Sequence, residues 1–155
     1  MRKDPALQTS TPDAMTDDDW RVVLRPEEFA ILRQASTERP WTGPHLEESR
    51  PGAYHCAGCG AKLYAGQHKF HSGCGWPSFY QEVEPGALET VVDSSYGMVR
   101  TEMRCASCHG HLGHIFDDAP KQPTGMRHCV NGYALVFVPD GVDPQQALAA
   151  HRAGG

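Results

Sequence analysis

The 155-residue sequence contains no apolar run that approaches the roughly 20 residues of a membrane span. It also lacks an excess of positive charge, with a formal net charge of −5 at pH 7. A surface that binds phosphates has to be basic, so nucleic acid is not an expected partner. The first residues lack the apolar core of a secretory signal and are too acidic for a transit peptide. We therefore expect a cytoplasmic protein that binds neither membranes nor nucleic acid.

Long helical patterns are scarce as well. Sixteen glycines and twelve prolines favour short strands and turns over a helical bundle. One helix is predicted over residues 26–36, where Pro26 suits the first helical position. Alternation over residues 99–105 predicts a half-buried strand, with Val99 and Met103 on one face and Glu102 on the other. We expect a disordered tail at 1–15, one domain at 16–140, and a C-terminal tail at 141–155 with a short, frayed helix.

Six cysteines carry the most specific pattern. Four of them form two C-x-x-C units, "CAGC" and "CASC", in turn-like surroundings. One such unit resembles a thioredoxin-type redox pair, but that interpretation requires a βαβ pattern, and none is visible. Two units can hold the opposite sides of a tetrahedral Zn²⁺ ion. The sequence therefore predicts one structural Zn²⁺ site, with iron as the open alternative, on Cys56, Cys59, Cys105 and Cys108.

Two cysteines are left over. Cys74 lies between two glycines in "HSGCGWPSF". Cys129 follows Arg127 in "GMRHCVNGY", where the guanidinium would favour a thiolate if the side chains meet. Either cysteine alone is most simply an inert packed thiol. Together they supply an attacking thiolate and a resolving thiol, the minimum for reversible sulfur redox chemistry.

Four segments carry a family resemblance. "RPGAYHCAGCGAKLY", "KFHSGCGWPSF", "RCASCHGHLGHIFDD" and "GMRHCVNGYALVF" resemble the B-type methionine sulfoxide reductases, which act on the R epimer of methionine sulfoxide. The resemblance runs from about residue 20 to residue 139. It implies a mainly β fold, with two antiparallel sheets forming an open, tent-like barrel and short N-terminal helices. It also implies that the zinc site lies far from the reaction.

Within that family the expected mechanism uses both leftover thiols. Cys129 attacks the sulfoxide sulfur, releases methionine and becomes a sulfenic acid. Cys74 then forms a disulfide with Cys129, and a dithiol such as thioredoxin reduces it. His111 and His114 are expected to supply a proton or to position a water that does. Protein-bound sulfoxide is the expected substrate, free sulfoxide stays open, and a monomer is expected.

Further residues of these segments are assigned by their chemistry. The amide of Asn131 is expected to bind substrate or to orient a histidine, and Trp76 to offer a flat face to the S-methyl group. Arg127 is expected to share a strand face with Cys129. Phe116 is predicted to line the pocket, and Asp118 to bind there or to orient a histidine.

Two other functional classes remain open at this point. A non-enzymatic, zinc-ribbon-like binding module would explain the four metal ligands but would leave Cys74, Cys129 and the "HLGH" segment without a task. A thiol peroxidase or general disulfide oxidoreductase would explain the two thiols but neither the histidines nor Trp76. The disulfide that forms on oxidation separates them, since a redox ribbon would pair a C-x-x-C unit and lose zinc.

Overall fold

The computed structural model describes residues 14–154, so most of the tail expected at residues 1–15 lies outside the described residues. Three helices and nine strands form in this range: α1 (Asp17–Val23), α2 (Pro26–Gln34) and α3 (Pro144–Ala153), with strands β1–β9 between α2 and α3. None of the helices in the described range has the length and apolar content of a membrane span.

The strands form two antiparallel sheets. The three-stranded sheet has the order β2–β1–β9, made of β2 (Lys62–Ala65), β1 (Gly52–Cys56) and β9 (Leu135–Pro139). The six-stranded sheet has the order β3–β4–β8–β7–β6–β5, made of β3 (Lys69–Phe70), β4 (Ser78–Phe79), β8 (Arg127–Val130), β7 (His111–Phe116), β6 (Arg100–Cys105) and β5 (Leu88–Asp93). No strand pairing within residues 14–154 joins the two sheets. The prediction of a mainly β fold with two antiparallel sheets is confirmed.

Helix α2 forms where the sequence predicted it. Pro26 occupies the first turn, and the Glu28 carboxylate accepts the backbone N–H of Arg25 at 2.9 Å, which satisfies one free donor of the helix start. Ala35 adopts a left-handed conformation with φ 56°, so the helix ends at Gln34, two residues before the expected end. Its buried residues include Phe29 and Leu32, which join the core.

Helix α3 is firmly attached to the domain. Its N-terminus is capped by the Asp143 side chain, which accepts from the Gln145 backbone. Leu148 is buried in the core, and His151 lies 2.6 Å from the carboxylate of Glu28 on α2. The C-terminal segment therefore packs as a helix up to Ala153, which the expectation of a frayed tail did not include.

Aromatic packing between the sheets sets the position of β8, which carries Cys129, and of β4, which follows the Cys74 loop. The ring of Tyr64 on β2 stacks on Phe79 of β4 with centroids 4.2 Å apart. The Tyr64 hydroxyl also lies 3.0 Å from Nδ1 of His128 on β8. Because Phe79 and His128 are register partners, this contact holds β4 and β8 as a unit against the first sheet.

The alternation predicted along residues 99–105 is only partly correct. Met103 is buried in the core as expected, but Val99 precedes β6 and is 80% exposed. Glu102, expected on the opposite face, is only 8% exposed. Its carboxylate is buried because it bonds a histidine of β7, a polar pairing that an apolar pattern cannot indicate.

Candidate active site and metal centre

The two C-x-x-C turns meet in one buried cluster. The first turn follows β1 and the second follows β6. The Sγ atoms of Cys56 and Cys108 are 3.7 Å apart, those of Cys59 and Cys105 are 3.6 Å apart, and all four lie within 4.8 Å. Four thiolates at 2.3 Å from a tetrahedral zinc ion would stand about 3.8 Å from one another. The cluster therefore has the donor set, spacing and burial that fit a metal ion.

Each turn of the cluster receives an arginine from a helix. Arg33 on α2 donates to the Cys108 carbonyl at 2.9 Å. Arg152 on α3 donates to the carbonyls of Ala57 and Gly58 at 2.9 and 2.6 Å. Four thiolates around a divalent ion carry net negative charge, so these two cations lie where they offset it.

The two remaining cysteines are in contact. Cys129 lies on β8, between its register partners Ser78 on β4 and His114 on β7. Cys74 lies in the loop before β4, and its Sγ is 3.4 Å from the Sγ of Cys129. Both are half-buried free thiols. Oγ of Ser72, 2.9 Å from the Cys74 sulfur, adds a hydroxyl donor that the sequence analysis did not assign.

The first proton of this thiol pair has a low pKa, so the pair carries one negative charge at neutral pH. A hydrogen bond from Cys129 lowers the pKa of Cys74 to about 4, with help from the hydroxyls of Ser72 and Ser78. The same contact and burial raise the pKa of Cys129, whereas Arg127 lowers it. The pair therefore loses its first proton easily, and the remaining proton lies between two sulfurs in hydrogen-bond contact.

Arg127 is held beside this pair by two residues of the predicted site. Its guanidinium forms a fork with the Asp118 carboxylate, with both N–O distances 2.9 Å. It also lies 4.4 Å from the ring centroid of Phe116, its register partner on β7. The bonds from Arg127 lower the pKa of Asp118. Among residues 14–154, Asp118 thus pairs with Arg127 and not with a histidine, and the ring of Phe116 packs against the same guanidinium.

His111 and His114 lie on β7 with ring centroids 5.6 Å apart. Nδ1 of His111 is 2.7 Å from the Glu102 carboxylate, and its buried Nε2 has no hydrogen-bond partner within residues 14–154. Burial lowers the pKa of His111, so its ring is neutral near pH 7. Nε2 of His114 is 2.8 Å from the carboxylate of Asp93. The sequence analysis gave a role in the site to both histidines but to neither carboxylate.

Asn131 and Trp76 are joined through Glu38, which the sequence analysis did not single out. The Asn131 amide accepts from the Glu38 backbone N–H and donates to the Leu112 carbonyl, each at 3.0 Å. Trp76 Nε1 donates to the Glu38 carbonyl at 3.1 Å. The Glu38 carboxylate accepts the Tyr133 backbone N–H at 3.0 Å. The Asn131 side chain is therefore buried, and its amide oxygen and nitrogen both bond backbone groups. It reaches neither histidine.

A groove of about 470 Å³ borders the thiol pair on the Cys74 side. Its lining includes Ser72, Cys74, Lys121 and Arg127. Trp76 and the two histidines are not part of this lining. The structure thus brings Cys74, Cys129 and Arg127 together, with His114 next to Cys129 on the adjacent strand.

Comparison with known proteins adds the family. The SelR domain model matches residues 24–139. A peptide methionine sulfoxide reductase MsrB of Leifsonia xyli subsp. xyli is 54% identical over 127 residues, which cover 82% of this chain and 91% of that protein. A protein of the same name from Agrobacterium fabrum is 51% identical over 131 residues, covering 84% and 96%. Another, from a Synechococcus species, is 50% identical over 126 residues, covering 81% and 92%.

Proposed function

Because the chain belongs to the SelR-domain family of the peptide methionine sulfoxide reductases, we propose that it reduces methionine-R-sulfoxide in oxidised proteins to methionine. It is an oxidoreductase that uses its own thiols. The observation that carries this proposal is the 3.4 Å contact between the Cys74 and Cys129 sulfurs, with His114 in register beside Cys129.

The first step is the attack of the Cys129 thiolate on the sulfoxide sulfur. The sulfoxide gains two electrons and leaves as methionine, while its oxygen, with one proton, stays on Cys129 as a sulfenic acid. Arg127 supports this step because its positive charge favours the thiolate form of Cys129. The proton on Cys129 passes to Cys74 across their hydrogen bond, so the nucleophile forms without help from solvent.

A proton must reach the sulfoxide oxygen as the sulfur is attacked. We assign its delivery to His114, which faces Cys129 across the β7–β8 pairing. His111 is neutral, and its Nε2, which has no partner in the described part of the chain, is suited to accept a hydrogen bond from a water near the oxygen. The half-buried Trp76 ring is the proposed surface for the S-methyl group, since thioether sulfur packs well on aromatic rings.

The second step returns Cys129 to a reducible form. Cys74, which holds the proton taken from Cys129, attacks the sulfenic sulfur; the S–S bond forms, the S–O bond breaks, and the sulfenic hydroxide leaves as water with that proton. An external dithiol, thioredoxin-like in chemistry, then reduces the disulfide. Four cysteines that bind a metal and two that cycle between thiol and disulfide suit a reducing compartment, so we propose the cytoplasm as the location. The thiols and the histidines all come from one chain, which is consistent with a monomer.

The metal has a structural role in this proposal. Cys56, Cys59, Cys105 and Cys108 would hold Zn²⁺, which supplies folding free energy by fixing the turns after β1 and β6. None of these residues touches the Cys74–Cys129 pair, so the reaction proceeds without participation of the metal.

The test is turnover of the separated R and S epimers of a blocked methionine sulfoxide with dithiothreitol. We expect R-selective turnover that is lost in Cys129→Ser. Cys74→Ser, the matched control, should still release one methionine per enzyme in the first turnover. Absence of turnover of both epimers by reduced, zinc-loaded protein would refute the proposal and favour a zinc-ribbon-like binding module.

A further inference from the structure

The turn between β5 and β6 holds a carboxylate against His114. Asp93 ends β5, and its Oδ2 lies 2.8 Å from Nε2 of His114. The other oxygen, Oδ1, accepts the Ser95 backbone N–H at 2.9 Å, and Arg100 on β6 lies 3.5 Å from Oδ2. The carboxylate is therefore fixed in place from both sides of the turn.

These contacts determine which nitrogen of His114 carries hydrogen. The bonds from Ser95 lower the pKa of Asp93 strongly, so it is an ionised carboxylate that can only accept hydrogen bonds. The Nε2 atom of a neutral His114 must then be the protonated one, and Nδ1 is the atom left for other chemistry. Nδ1 makes no hydrogen bond within the part of the chain that the structure describes.

His111 has the opposite arrangement. Its Nδ1 bonds the carboxylate of Glu102, and its buried Nε2 has no hydrogen-bond partner among residues 14–154. Around His114 the charged and titratable groups are Asp93 on β5, Arg100 and Glu102 on β6, His111 on β7 and Cys129 on β8. Of these, only Asp93 is in hydrogen-bond contact with the His114 ring in the described range.

We propose that Asp93 is a positioning residue of the sulfoxide-reduction site, which fixes the Nε2–H tautomer of His114 and makes Nδ1 the nitrogen that serves the sulfoxide oxygen. This inference rests on the proposed function. Asp93 touches no reacting atom and acts only through the ring it holds. In the protonated ring both nitrogens are donors, so Nε2–H keeps its bond to Asp93 while Nδ1–H is the one that donates to the sulfoxide oxygen.

The first test needs no variant. Long-range ¹H–¹⁵N NMR of the reduced, zinc-loaded protein at alkaline pH reports the tautomer of each histidine. We expect Nε2–H for His114 and Nδ1–H for His111, so the two rings give opposite patterns in one spectrum. An Nδ1–H tautomer at His114 would overturn the proposal, whatever the activity of the enzyme.

The second test replaces Asp93 with asparagine. The new amide can donate to Nε2, so we expect Asp93→Asn to shift His114 towards the Nδ1–H tautomer. The rate of R-sulfoxide reduction should fall roughly 10²-fold, a large part of what a general acid contributes. An unchanged tautomer and rate in the folded variant would contradict the inference.

Glu89→Gln is the matched control. Glu89 also lies on β5, and its carboxylate is 2.7 Å from Nδ1 of His109, which follows the metal-ligand candidate Cys108 and belongs to neither the thiol pair nor its histidines. This variant removes a carboxylate–histidine contact of the same kind, but at His109 and not at His114, so it should leave the His114 tautomer and the rate unchanged. If wild-type protein shows the expected tautomers but reduces neither epimer, the proposed function fails while the geometry of Asp93 stands.

Discussion

Removal of the resolving thiol gives the sharpest test of the thiol pair. The sulfurs of Cys74 and Cys129 stand 3.4 Å apart, and a disulfide bond is about 2.05 Å long, so they must approach by about 1.4 Å. Gly73 has φ 78°, and a Cβ added there would meet no other atom within 4 Å. A Cβ added on Gly75 would lie 2.6 Å from Pro40. The loop can therefore move at Gly73 while Gly75 stays fixed.

A movement this small makes disulfide formation intramolecular and fast. Well-oriented groups within one molecule react as if present at about 10⁵ M, far above millimolar external thiol. One equivalent of R-sulfoxide without reductant should thus convert wild-type protein to the Cys74–Cys129 disulfide, with no sulfenic acid accumulating. Cys74→Ser should instead stop at the sulfenic acid, since serine cannot attack it.

The assay is thiol titration with intact-mass analysis after a single turnover. Wild-type protein should lose both reactive thiols and two hydrogen atoms, and the variant should lose one thiol and gain one oxygen atom. Ser72→Ala, which keeps both sulfurs, is the control and should still form the disulfide. Accumulation of sulfenic acid in wild-type protein, or a disulfide within a C-x-x-C unit, would refute the assignment of Cys74.

Three further outcomes are expected from the same structure. Arg152→Ala removes the cation from the Ala57 and Gly58 carbonyls, so metal transfer to a chromogenic chelator should be about tenfold faster. Arg21→Ala, which alters an exposed ion pair on α1, should keep the wild-type release rate. Gly113→Ala would bring a Cβ within 2.0 Å of the Cys129 carbonyl oxygen, so urea unfolding should show a loss of about 1–3 kcal/mol, and an unchanged midpoint would contradict this contact. Because the pKa of Cys74 is lowered to about 4, its thiolate persists above that pH and disappears below it, and iodoacetamide labelling at acidic pH should follow this curve. A labelling midpoint at or above the pKa of an ordinary thiol, about 8.5, would contradict a charge shared by the two sulfurs.

Local signals in the sequence were sufficient for several parts of the protein. Pro26 and the acidic first turn predicted helix α2, and only its end differs, at the left-handed Ala35. The two C-x-x-C units predicted a four-cysteine cluster, because two ligands per turn already fix half of a tetrahedral site. Subtraction of those four cysteines left Cys74 and Cys129, which the structure brings into contact.

The partners of the site residues came only from the tertiary structure. Nothing in the sequence distinguishes three acidic residues that bond the site from the chain's other acids. These are Asp93 at the end of a strand, Glu102 within a strand and Glu38 in a connector. Strand register places the first two beside His114 and His111, and the connector brings Glu38 to Trp76.

What the sequence by itself determined is therefore the local part: which segments are helix or turn, and which residues have metal-binding or nucleophilic chemistry. The long-range part was decided by the antiparallel pairing of four successive strands, β5 with β6, β6 with β7 and β7 with β8, and by the packing of α3 against the domain. A hydrogen bond between residues distant in the chain leaves no periodicity in either segment, since it depends on register and packing that the whole core fixes at once.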